Sequence, residues 1–205
     1  MTHSLVSQVS ALALEHAWLV LISVLAAAAL AVPGGIVLSR RAGLRRWLVG
    51  FTNVVQTIPS LAVFGFLLPV PFIGGVGKRT AIVALVLYAL LPVLRNTLVG
   101  ILGIDPAVRE SAMAVGMTDW QILLQVELPL AVPVILAGVR TATVATIGTA
   151  TIAAVIGGGG LGVLIFRGIA MVDTAQVLMG AIPAAVMALL ADEVLGWVEH
   201  RLSPA

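Results

Sequence analysis

Cysteine is absent from the 205 residues, so disulfides, thiol catalysis and thiolate metal sites are excluded. Charge is nearly as scarce. Charged side chains make up 10% of the chain and apolar ones 60%, against roughly 25% and 45–50% in soluble domains. A chain of this balance is an integral membrane protein. The three histidines, His3, His16 and His200, lie toward the ends, so no metal or proton-relay cluster is expected from them. No Lys or Arg precedes Arg40. Residues 1–16 therefore lack the positive region of a cleaved secretory signal and are expected to persist as an extracytoplasmic N-terminal segment. A net charge of +2 with no dense basic tract gives no surface for nucleic acid. The stretch GGVGKRT at 74–80 is not a phosphate loop: Phe72 stands where a glycine is needed, Arg79 intervenes before Thr80, and no strand precedes it.

What is present is a series of apolar runs of about the ~20 residues needed to cross a bilayer. Five spans are predicted, over 17–38, 52–70, 80–101, 133–156 and 175–194. Arg40, Arg41, Arg45 and Arg46 follow the first. Positive charge favours the cytoplasm, which puts the N-terminus outside, loops 39–50 and 102–130 inside and the tail 197–205 inside. The second span carries Asn53, Gln56, Thr57 and Ser60 around Pro59. Such side chains face either a water-filled path or a neighbouring helix in a bundle interior. Arg95 and Asn96 lie close enough to the inner end of the third span to snorkel. The run Gly157, Gly158, Gly159, Gly160, Leu161, Gly162 has the form of a dinucleotide fingerprint, but it follows a membrane helix with no βαβ unit. It is predicted to be a flexible, broken or re-entrant turn lining a cavity near the outer face. Residues 163–172, with Arg167 outside, are too short to cross.

The loop 102–130 carries the most local information. Asp105 followed by Pro106 is an N-cap and first-turn pair. Gly116 is a left-handed terminator. Thr118 and Gln121 have capping-box spacing, opening a second short helix that Pro129 either closes or hands on to the next. Two short polar helices between spans form a docking element for another protein, the plainer alternative being an amphipathic connector.

Glu110, Ala112, Gly116, Val126, Leu128 and Pro129 fall on the pattern E-A-A, three residues, G, nine residues, I-x-L-P, with Ser111 in place of the first Ala and Val126 in place of Ile. This resembles the cytoplasmic loop of bacterial ABC importer permeases. The stretches NVVQTIPSLAVFGFLLP (53–69), IVALVLYALLPVLRNT (82–97) and ELPLAVPVILAGVRTATVATIGTATIAAVIGGGGLG (127–162) resemble the permease subunit of glycine betaine, carnitine and choline importers. The resemblance implies an all-α type I ABC importer transmembrane domain over 17–196 in the bacterial inner membrane. It implies as partners ABC ATPase subunits, an extracytoplasmic substrate-binding protein and a second permease, identical or paralogous. ATP and Mg then belong to the ATPase, with no cofactor and no enzymatic activity on this chain. Glu110, Ser111, Ala112, Gly116, Leu128 and Pro129 would couple to the ATPase, while Gln56, Thr57, Pro59, Ser60 and Asn96 would line the translocation pathway. Few aromatics are available for a cage around a quaternary ammonium, which places selectivity mostly on the binding protein. Other zwitterions such as amino acids fit the same composition. A secondary transporter fits less well, because carboxylates are nearly missing from the spans, Asp192 and Glu193 lying at an end.

Overall fold

The structure, a computed structural model, describes residues 2–202, and the side chains of residues 2–4, 48, 52, 55 and 56 lie outside the described residues. Its helices are α1 (Thr2–Ser39), α2 (Ala42–Thr57), α3 (Ser60–Leu67), α4 (Lys78–Leu102), α5 (Pro106–Ala114), α6 (Asp119–Ile122), α7 (Leu128–Ile152), α8 (Gly162–Met171) and α9 (Thr174–Leu202). A π turn over Leu123–Glu127 joins α6 to α7, and a 3-10 turn over Ala153–Ile156 ends α7. Among the described residues four segments are long and apolar enough to cross a membrane: Leu5–Ser39, Lys78–Leu102, Asp119–Ile156 and Thr174–Leu202. Helix α1 starts well before the apolar run. Its 38 residues extend about 57 Å at 1.5 Å per residue, roughly twice the ~30 Å of a hydrocarbon core.

The span predicted as one piece over 52–70 is two pieces. Helix α2 begins within the arginine-rich loop and ends at Thr57, and α3 restarts at Ser60. Pro59 explains the break: it has no N–H to continue the ladder, and its ring disfavours a helical conformation at Ile58. The Ile58 carbonyl, left without a helical partner, accepts a hydrogen bond of 2.7 Å from the Tyr88 hydroxyl on α4. The break is thus held from across the bundle.

Helices α1, α4 and α7 form the central trio, with α9 against α7 and α8 against α9. The trio meets on small side chains. Ala27 and Ala31 of α1, Ala81 and Ala84 of α4, and Ala142 and Ala150 of α7 are all fully buried. Without a hydrophobic drive between helices in lipid, close backbone approach on such residues is what van der Waals association needs. Phe64, fully buried, anchors α3 to the same cluster. A bidentate pair fastens α7 to α9: Arg140 donates to Asp192 at 2.6 and 2.7 Å, and Glu199 stands 3.5 Å from the same guanidinium. The apolar segment 162–171 is a ten-residue helix, too short to cross.

Candidate functional site

The loop between α4 and α7 is built by short-range rules. The Asp105 side chain accepts from the Ala107 N–H at 2.9 Å, and Pro106 occupies the first turn of α5. At the other end Gly116 has φ +86°. The Gly116 N–H donates to the Met113 carbonyl at 2.9 Å and the Met117 N–H to the Ala112 carbonyl at 3.2 Å, the two bonds of a Schellman cap. Thr118 then starts α6 with a reciprocal capping box. Its Oγ1 accepts from the Gln121 N–H at 3.4 Å, while its own N–H donates to Gln121 Oε1 at 2.8 Å. Pro129 does not close this second helix. It sits in the first turn of α7, and the Leu128 N–H bonds the Leu123 carbonyl five residues back. The wider π turn gives room upstream of a residue whose ring would collide with the carbonyl four residues earlier.

On this scaffold Glu110, Ser111 and Gly116 are exposed and Ala112 is buried. Val115 and Trp120 are 78% and 66% exposed, so the loop presents apolar side chains beside the Glu110 carboxylate. Leu128 is half-buried and Pro129 exposed at the base. Glu127, between them and the apolar Val126, was not singled out from sequence, yet it organises the loop. It is 2% exposed and paired with both Arg40 and Arg109. The sequence signal for it is a carboxylate in a run that is otherwise apolar but for Gln125.

The pathway residues are distributed differently. A cavity of about 230 Å³ lies between α2, α4 and α7, with Asn53, Arg95, Asn96 and Thr141 among its lining residues. Asn96 Nδ2 donates to the Pro92 carbonyl at 2.9 Å. A larger opening of about 620 Å³ shares Val49, Arg95 and Leu98 with it and reaches Arg45 and Arg46. Arg95 therefore faces both spaces, a position that its place near the end of a span did not reveal. Thr57, Pro59 and Ser60 line neither. Thr57 is exposed, with its hydroxyl bonded to the Val54 carbonyl at 2.7 Å, Pro59 is exposed in the break, and Ser60 is half-buried at the start of α3. The Gln56 side chain lies outside the described residues.

The glycine turn packs against the first helix. Gly157, Gly159 and Gly160 have φ of +75°, +84° and +74°, and Gly158 is buried. Glu15 accepts from the Gly160 N–H at 2.9 Å and pairs with Lys78 at 2.5 Å, while the Gly77 N–H donates to the Ile156 carbonyl at 2.7 Å. A Cβ on Gly159 would stand 2.6 Å from the Glu15 carboxylate, and one on Gly162 would stand 1.8 Å from the Thr151 carbonyl. His16, placed at the chain's end by sequence, is fully buried, its Nε2 3.0 Å from the Ile147 carbonyl. Among the described residues no group of three His, Cys, Asp or Glu side chains could hold a metal ion.

The profile of the family described as "binding-protein-dependent transport system inner membrane component" matches residues 13–204. The chain is 48% identical over 182 residues to the carnitine transport permease protein OpuCD of Listeria monocytogenes, covering 88% of this chain and 80% of that protein. It is 44% identical over 190 residues to the glycine betaine/carnitine/choline transport system permease protein OpuCB of Bacillus subtilis, covering 93% and 86%. Among solved structures, an inward-facing form of the MetNI methionine ABC transporter superposes with a TM-score of 0.84 over 93% of this chain and 94% of that one. At 20% identity this is a likeness of fold alone.

Proposed function

The chain belongs to the family of binding-protein-dependent transport system inner membrane components, with the fold of a type I ABC importer permease, and from that premise we propose that it forms the translocation pathway for quaternary ammonium compatible solutes: glycine betaine, carnitine or choline. The observation that carries the substrate class is the 48% and 44% identity, over nearly the whole chain, to permeases named for those solutes. The cavity is compatible with it. Asn53, Arg95 and the second amide proton of Asn96 offer donors to a carboxylate or hydroxyl, Thr141, whose hydroxyl donates to the Ala137 carbonyl, offers an acceptor, and Leu91, Pro92 and Leu98 leave a weakly hydrated trimethylammonium group in apolar surroundings. Gln56, Thr57, Pro59 and Ser60 are assigned to the pathway by their place in the sequence around the break between α2 and α3, apart from the two cavities, which Thr57, Pro59 and Ser60 do not line.

Coupling runs through α5 and α6. ABC ATPase subunits, which carry ATP and Mg, grip the loop at the exposed Glu110, Ser111 and Gly116, and the buried Ala112, with Leu128 and Pro129 at the base, transmits the contact to the spans. Their closure draws the docking helices of two permeases together and turns the cavity outward. An extracytoplasmic substrate-binding protein then releases its ligand into it. The N-terminus faces outward and the tail inward, as the arginines at 40, 41, 45 and 46 favour.

The test is transport by the complex reconstituted in liposomes with its own ATPase and binding protein. ATP-dependent uptake of glycine betaine, carnitine or choline is expected. Uptake of methionine or a sugar, and of none of these three, would overturn the substrate class and leave the permease assignment standing.

A further inference from the structure

Glu127 stands where the π turn passes into α7, and its two oxygens face different elements. Oε2 pairs with the guanidinium of Arg40, in the turn after α1, and Oε1 with that of Arg109 on α5. The carboxylate side chain is 3% exposed, whereas those of Arg40 and Arg109 are 37% and 41% exposed. Each arginine thus reaches from water to one buried charge. Helix α5 has little else to orient it. Ala112 is its one buried residue among those described, and its main helical neighbour is the four-residue α6. An apolar contact of that size does not fix the direction of a nine-residue helix. A buried carboxylate held by two cations does, since each oxygen makes its own directional pair and loss of the carboxylate would strand both arginines.

We propose that Glu127 is a positioning residue: a strut that joins the docking helix α5 to the end of α1 and the head of α7, so that displacement of α5 moves both central spans together. The proposal rests on the permease reading above. It assigns Glu127 a part distinct from ATPase docking, because at 2% exposure the residue does not offer itself to a partner, whereas Glu110 does.

The experiment uses the full complex, with ATPase and binding protein, and reads solute imported per ATP hydrolysed. Glu127→Gln keeps the shape and removes the charge. The variant is expected to keep its ATPase through purification and to hydrolyse ATP, while the solute-to-ATP ratio falls at least fivefold. Glu127→Asp should recover part of that loss. A residue that only stabilised the fold would lower abundance, hydrolysis and import together at a constant ratio, and that result overturns the strut. Should Glu127→Gln fail to accumulate, Arg109→Gln takes its place, leaving Glu127 paired with Arg40, and an unchanged ratio there is equally fatal. If the wild-type chain retains no ATPase, the permease reading itself has failed, an outcome separate from either.

Discussion

Gly116 separates two reasons for a glycine at a docking loop. Its φ of +86° lies in the left-handed region, yet a Cβ built on it meets nothing within 4 Å. In the isolated chain the constraint is therefore conformation and not space. A side chain in that region costs up to roughly 1–2 kcal/mol, least for Asn, whose short polar group tolerates it, and most for a β-branched residue. At about 1.4 kcal/mol per tenfold, the ratio of correctly capped to uncapped α5 should fall roughly 5- to 30-fold for Gly116→Val. Gly116→Asn should stay within about twofold of wild type, and Gly116→Ala should fall between. The assay is retention of the ATPase on the purified permease, with solute uptake at matched abundance. Val behaving like wild type would refute the conformational account. Asn failing as badly as Val would show that room inside the assembled complex is what limits the position.

Two further outcomes are expected. Because the chain has no cysteine, single ones at Ala42 and Thr118 should resist an impermeant thiol reagent in intact cells while one at Gly75 reacts, and labelling of Thr118 from outside would reverse the orientation. At Gly138 a Cβ would lie 2.5 Å from Asn96 Cβ and 3.0 Å from the Pro92 carbonyl, so Gly138→Leu should cost about 1–3 kcal/mol by overpacking. A lowered thermal midpoint for aggregation in detergent, partly restored in an Asn96→Gly background, is the expected result. An unchanged midpoint would mean that α4 and α7 part more easily than their contact suggests.

The parts of this molecule that were legible in the sequence are those whose causes are local. Asp105, Pro106, Gly116, Thr118 and Gln121 act on backbone groups within a few residues of themselves, so the type of each residue specifies its bond. The long apolar runs were legible for the same reason, since length and hydropathy need no knowledge of neighbours. Pro59 was a half-read signal: its missing N–H was visible in the sequence, but the Tyr88 hydroxyl that makes the break tolerable comes from 30 residues away. Glu127 lay beyond reach because Arg40 is 87 residues distant, and nothing near Glu127 announces which cations it meets. His16 illustrates the same limit from the other side. Proximity to the start of a chain says little about burial when α7 and the glycine turn fold back over it.

The π turn over Leu123–Glu127 fixes where the docking loop aims. With 3.6 residues per turn and 1.5 Å of rise per step, the single extra residue in a π turn amounts to a phase change of about 100° between the helical segments on its two sides. Removing one residue from that turn would restore the α-helical register, at the cost of setting the Pro129 ring against the carbonyl four residues earlier. The docking loop would nonetheless swing by about 100° around the axis of α7 and point its exposed side chains elsewhere. The loop's bearing is stored partly as a residue count, so an insertion or deletion here re-aims it, whereas a substitution keeps the register and acts on the aim only where, as at Glu127, the side chain itself holds the loop.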